Sequence, residues 1–184
     1  SSDQRTGQAI SSATPSLTAG PSASPTPEHR PIVTPRRLLV ENEAFGRSKG
    51  RVARAIADLK KVDLWKPLTR RLYAVKFGSR TGKVNIPDDG HLADAYLTAR
   101  VDGDVGGAFC DIMFFPSAMI ADLERWRTYY SQGLIAEAPP SARQFWASIM
   151  AHELAHCLKG KNGEPVAMAW EERALAAVRQ AGLR

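Results

Sequence analysis

Two histidines and a glutamate stand together in the run His152-Glu153-Leu154-Ala155-His156. Residues four apart on a helix share a face, so His152 and His156 can grip one metal ion between them. Glu153 falls beside that face, within reach of a water that the metal polarises. Paired imidazoles, a metal and a carboxylate base are the parts that hydrolysis by an activated water needs. The chain has four histidines, and half of them lie in this run.

The surrounding residues predict the helix that this chemistry requires. Pro139-Pro140 reads as a stop, Ser141 as an N-cap and Gly160 as a C-cap, with no Pro or Gly between Ser141 and Lys159. Away from the histidine face stand Trp146, Ala147, Met150, Leu154, Cys157 and Leu158, so the helix is expected to be buried. Burying two imidazoles costs free energy unless they find partners, and a metal is such a partner. The plainer reading is a helix with one solvated histidine and one core histidine.

A zinc site needs a third protein ligand. Cys157 follows His156 but points well away from the pair on a helix, and His91 has no motif around it. The better source is the segment from Gly163 to Leu183. Asn162-Gly163 supplies a turn and Pro165 suits the first position of a second helix folding back on the first. On a helical wheel centred on Glu171, the residues Ala167, Met168, Ala174, Leu175 and Val178 fall within about 60°. A carboxylate in the middle of an apolar stripe needs a partner, either a metal or a neighbouring Arg. Glu171 is therefore the expected third ligand. Glu172 lies at the stripe's edge and reads as solvated. Glu164, at the helix start, reads as a cap or dipole partner.

His152-Glu153-Leu154-Ala155-His156, followed on a second helix by Glu171-Glu172-Arg173-Ala174, resembles the gluzincin class of zinc metallopeptidases over residues 141–180. The resemblance implies a zinc ion (Zn2+) held by His152, His156 and Glu171, with Glu153 as general base. It implies hydrolysis of peptide bonds in a protein or peptide substrate. It also implies a zincin-like domain in which a small sheet precedes the active-site helix and an edge strand holds the substrate backbone. In one respect the chain departs from the class. Leu175 stands four residues after the expected ligand, where many gluzincins carry Asp or Asn, so the group that orients a ligand histidine must come from elsewhere. A donor to the substrate's oxyanion is also expected; by residue type alone, Tyr129, Tyr130 and His91 are candidates.

The elements that must position these residues are legible in outline. Residues 1–35 are about half Ser, Thr and Pro and contain no aromatic, a composition that cannot bury enough apolar area to offset its conformational entropy. They are expected to form a disordered tail or linker, with a single domain over 36–184. The run from Gly46 to Lys66 reads as a helix, because Val52, Ala55, Ile56, Leu59 and Val62 recur at helical spacing. Residues 71–77 alternate as a strand. Residues 95–101 and 108–115 read as a hairpin around the Gly- and Asp-rich run 102–107. Residues 117–133 read as a further helix. The expected class is α+β, with a small, mostly antiparallel sheet. The strand Ala108–Phe115, last before the active-site helix, is the candidate edge strand; the alternative is an ordinary core strand.

The 184 residues carry a net charge of +6, unevenly spread. Residues 30–87 hold 15 Lys or Arg against 4 acids, and residues 88–140 hold 3 against 9. The basic region 30–87 is a candidate surface for an anionic partner, against the simpler reading of a solvated face. Its cations are not interleaved with aromatics as a base-stacking surface needs. No apolar run approaches the length of a membrane span. Cys110 and Cys157 could form one disulfide or remain two buried thiols. The tail composition and a possible disulfide fit a periplasmic or secreted protein, the alternative being cytoplasmic. Two functional alternatives stand beside the peptidase: a nucleic-acid-associated basic protein, and a non-catalytic protein with a vestigial zincin site.

Overall fold

The computed structural model describes residues 37–80, 91–102, 105–159 and 163–184. The tail 1–35, the helix stop at Gly160 and the turn residue Asn162 lie outside them. Along the described residues run β1 (Leu39–Asn42), α1 (Gly46–Lys61), α2 (Trp65–Thr69), β2 (Leu72–Ser79), β3 (Ala93–Asp102), β4 (Val105–Phe114), α3 (Pro116–Ser131), α4 (Ala142–Lys159) and α5 (Glu164–Gln180). The class is α+β, as expected. Among the described residues no helix is long and apolar enough to cross a membrane.

The sheet has the order β1-β2-β4-β3. β1 lies parallel to β2 and β2 parallel to β4, and only β3 runs antiparallel, to β4. The expectation of a mostly antiparallel sheet is thus corrected to a mixed one. β1 was not legible because its four residues are largely exposed and too short to display alternation. The expected hairpin is present, but its second strand is the one that inserts beside β2. The strand expected at the edge is therefore β4, inside the sheet, and the edge belongs to β3. The side chains explain this: Cys110, Ile112 and Phe114 on β4 are buried, whereas Tyr96 and Leu97 on β3 are exposed. Gly107 is required where β4 starts against β2, since a Cβ there would come within 2.5 Å of the Cβ of Tyr73.

The helix expected from Gly46 to Lys66 is divided. Asp63 adopts φ 58°, in the left-handed region that Asp tolerates better than most residues. The Asp63 N–H then reaches the Lys60 carbonyl at 3.2 Å and the Leu64 N–H reaches that of Leu59 at 2.9 Å, satisfying carbonyls at the end of α1. The break turns Trp65 and Leu68 of α2 into the core.

α4 begins as the sequence predicts. Ser141 and Gln144 form a reciprocal capping box: the Gln144 N–H donates to Ser141 Oγ at 3.2 Å and the Ser141 N–H donates to Gln144 Oε1 at 2.9 Å. From Gln144 to Ala151 every residue is buried. α4 contacts α1, α5 and the sheet, so it is the apolar centre of the domain rather than an amphipathic surface helix. Asp58, buried on α1, receives two hydrogen bonds from Arg143 at 2.7 and 2.6 Å, which pin α1 to the first turn of α4. Ala147, Ala151 and Ala155 on α4 and Ala167 and Ala174 on α5 are fully buried, and their small side chains allow the two helices to pack closely.

The choice between a disulfide and free thiols falls to the disulfide. Cys110 on β4 and Cys157 on α4 are bonded, with Cα atoms 6.0 Å apart and a sequence separation of 47. The bond joins the sheet to the residue that follows His156. Closing a loop of that length removes freedom from the unfolded chain and stabilises the fold by about 2–4 kcal/mol.

Candidate metal centre

Successive turns of α4 present His152 and His156 on one face, with their ring centroids 4.8 Å apart. The Nε2 atoms face each other at 3.1 Å. α5 folds back across them. Glu164, its first residue, brings Oε2 to 3.1 Å from His156 Nε2 and Oε1 to 3.5 Å from His152 Nε2. One ligand atom from each of His152, His156 and Glu164 lies within 4.8 Å of the other two. Glu171 meets His152 on its other side and accepts a hydrogen bond from Nδ1 at 2.8 Å.

This geometry differs from the sequence expectation in the two glutamates. The carboxylate grouped with both Nε2 atoms is that of Glu164, which was expected to serve as a cap, while Glu171 lies against Nδ1 of His152. A helical wheel could not separate them. Positions 164 and 171 differ by seven residues, which is only about 20° of rotation, so both belong to one stripe. Height along α5 distinguishes them, and that depends on how the two helices pack. The wheel was right about the stripe itself: Ala167, Ala174, Leu175 and Val178 are buried, Glu171 is half-buried and Glu172 exposed. Met168 is exposed, contrary to its expected place.

The donor set fits a tetrahedral ion. Two ligand atoms at about 2.0–2.1 Å from zinc are about 3.3–3.4 Å apart. The two nitrogens lie 3.1 Å apart, His156 lies 3.1 Å from one Glu164 oxygen and His152 lies 3.5 Å from the other, all near that value. Two imidazole nitrogens and a carboxylate oxygen are donors that zinc accepts.

Glu153 is 6% exposed and lies at the wall of a cleft of about 890 Å³. His152, His156 and Glu153 line one side of that cleft, and β3 from Ala93 to Thr98 lines the other. Burial pushes the Glu153 carboxyl up to about 7; the His152 charge opposes this, while Asp94, Glu164 and Glu171 add to it. For His152, burial works against the imidazolium, yet the hydrogen bond to Glu171 and the charges of Glu153, Glu171 and Glu164 outweigh it and raise its pKa. His91 stands at the same cleft with Nδ1 3.0 Å from Asp94 Oδ1. Tyr129 and Tyr130 are exposed on α3 and do not line the cleft.

Sequence reasoning missed three parts of this site: the position of Glu164, the presence of Asp94, and β3 as the edge strand, among the described residues, beside the histidines. An acidic residue eight positions after His156, at the start of the returning helix, was the available signal for Glu164. No local signal marks Asp94, which reaches the cleft only through strand order. No family of known proteins, no curated protein and no solved structure matches the chain.

The two shifts fix the sign of a pH effect. In the metal-free fold Glu153 keeps a proton up to about pH 7 that the unfolded chain, with its ordinary value of 4.5, has already released. His152 likewise holds its proton above its ordinary value of 6.5. At these two groups the fold then binds more protons than the unfolded chain, so their contribution to metal-free stability is full below about pH 4.5 and is lost as pH rises through 7. Metal binding needs neutral imidazoles and ionised carboxylates, and so gains with pH. Thermal midpoints measured between pH 5 and 8 should fall with pH for metal-free protein, and the upward shift on adding zinc should grow. A zinc-induced shift that shrinks with rising pH would contradict this.

Proposed function

We propose that the chain is a zinc-dependent metallopeptidase with a zincin-like domain, cutting peptide bonds in protein or peptide substrates. One observation carries the reading. His152, His156 and Glu164 converge beside a buried carboxylate, Glu153, at the foot of an open edge strand. Core histidines and a surface acid would have no need of a cleft or of that neighbour.

His152 Nε2, His156 Nε2 and one Glu164 oxygen would hold the ion. When bound, zinc supplies Lewis-acid polarisation of the scissile carbonyl and makes water acidic enough to attack at neutral pH. Glu171 holds the Nδ1–H of His152, which fixes the tautomer and turns the Nε2 lone pair toward the site. This supplies the orienting partner that Leu175 does not. Glu153 takes a proton from the attacking water and delivers it to the nitrogen of the leaving amine. Its raised pKa and its burial suit a group that both accepts and returns a proton near neutrality. β3 offers its free edge to an extended substrate, which adds as a further strand across the cleft. His91, oriented by Asp94, is the donor for the oxygen of the developing tetrahedral centre.

The Cys110–Cys157 disulfide supports an oxidising location, periplasmic or extracellular. The test is hydrolysis of an unfolded protein substrate. A chelator should abolish cleavage and added zinc restore it; no cleavage by zinc-loaded protein, or cleavage indifferent to chelation, contradicts the reading.

A further inference from the structure

A second concave site lies on the α1 side of α4. It is a groove of about 320 Å³ whose cationic lining is all arginine: Arg47, Arg51 and Arg54 from α1 and Arg143 from α4. The lysines of α1, at 49, 60 and 61, lie outside it. Arginine offers a planar fork of donors that matches phosphate and carboxylate oxygens, which a lysine does not. We propose that this groove binds a small, multiply charged phosphate, a diphosphate or a compact diphosphate ester.

Three of the four charges are unmatched. Arg47, Arg51 and Arg54 follow one ridge of α1 and span about 10 Å of its axis. Among the described residues no carboxylate pairs with any of the three. Arg47 also sits in the first turn of α1, where the helix dipole disfavours a cation, and that turn contains no acid and no capping side chain. Arg143 turns Nε and Nη2 to Asp58, so its charge is already paired and the unmatched charge in the groove is that of the three α1 arginines. Arg51 is steadied by Trp146, with its Cζ 5.7 Å from the ring centroid.

Gly50 is the second observation. It lies on the same ridge and lines the groove. A Cβ added there would meet nothing within 4 Å, and its φ is ordinary, so neither packing nor backbone conformation requires glycine. Glycine inside a helix is destabilising relative to Ala. What its missing side chain leaves is open space on the ridge that carries the three arginines. The size of the groove limits the ligand to a small molecule. Among the described residues the one aromatic lining it, Trp146, is 3% exposed and gives no platform for stacking a base, which argues against a nucleic-acid strand.

This inference is independent of the metal centre, and its test separates the two. Inorganic pyrophosphate is titrated calorimetrically into the 184-residue chain and into the variants Gly50→Gln, Arg54→Gln and Glu164→Gln, with thermal midpoints as a check on folding. The expected result is binding that weakens with salt and falls at least about ten-fold in Gly50→Gln and Arg54→Gln, with Glu164→Gln unchanged. Gly50→Ala should raise the thermal midpoint. The proposal is overturned if pyrophosphate does not bind, if the two groove variants bind it as well as the parent, or if only Glu164→Gln loses it. It is also overturned if a single-stranded oligonucleotide binds and pyrophosphate fails to displace it.

Discussion

Replacing Glu153 with Gln is expected to leave the zinc content intact and to lower peptide hydrolysis by about 10²- to 10⁴-fold. Gln has nearly the same shape, so it keeps the packing at a position that is 6% exposed. It cannot take a proton from water, and Glu153 belongs to neither the ligand set nor the pair that orients it. Because burial opposes ionisation of this carboxyl, a neutral amide should fold at least as stably as the parent at pH 7 and above when metal-free. Hydrolysis and zinc content measured on one preparation decide the matter. A variant that keeps most of its activity, or that loses zinc with it, removes Glu153 from the role of base.

Exchanging the glutamates of α5 should separate a ligand from its support. Glu164→Ala removes one of three atoms that would contact the ion, and zinc affinity should drop by more than about 100-fold. Glu171→Gln leaves the ligands in place but weakens the hydrogen bond that orients His152, a loss of about 10- to 100-fold. Glu172→Ala should change nothing measurable, since that side chain is exposed and outside the site. Competition against a chromophoric chelator reads all three. If Glu171→Gln proved much the worst, the ion would sit on the other side of His152 and Glu171 would be the third ligand.

How much of this was legible in the chain depends on which forces set each part. α4 was legible from Ser141 onward because capping and apolar patterning are local. The stripe on α5 was legible for the same reason. The order of strands was not, because it is decided by which partner buries more apolar surface. β4, with Cys110, Ile112 and Phe114 buried, takes the interior, and the more exposed β3 is left at the edge. The roles of Glu164 and Glu171 share the same limitation. They occupy one helical face, and only the pairing of α4 with α5 sets which carboxylate meets Nε2 and which meets Nδ1. Asp63 broke the expected helix from Gly46 to Lys66 through a single left-handed residue that no periodicity records. The disulfide is a matter of geometry: two cysteines 47 residues apart become neighbours only when β4 packs beneath α4.

The most direct test of the central claim is the metal content of protein purified without chelator and without added metal. The convergence of His152, His156 and Glu164 predicts about one zinc per chain, lost from a His152→Ala, His156→Ala double variant that still folds. Absence of metal, even after zinc is offered at neutral pH, would contradict the claim.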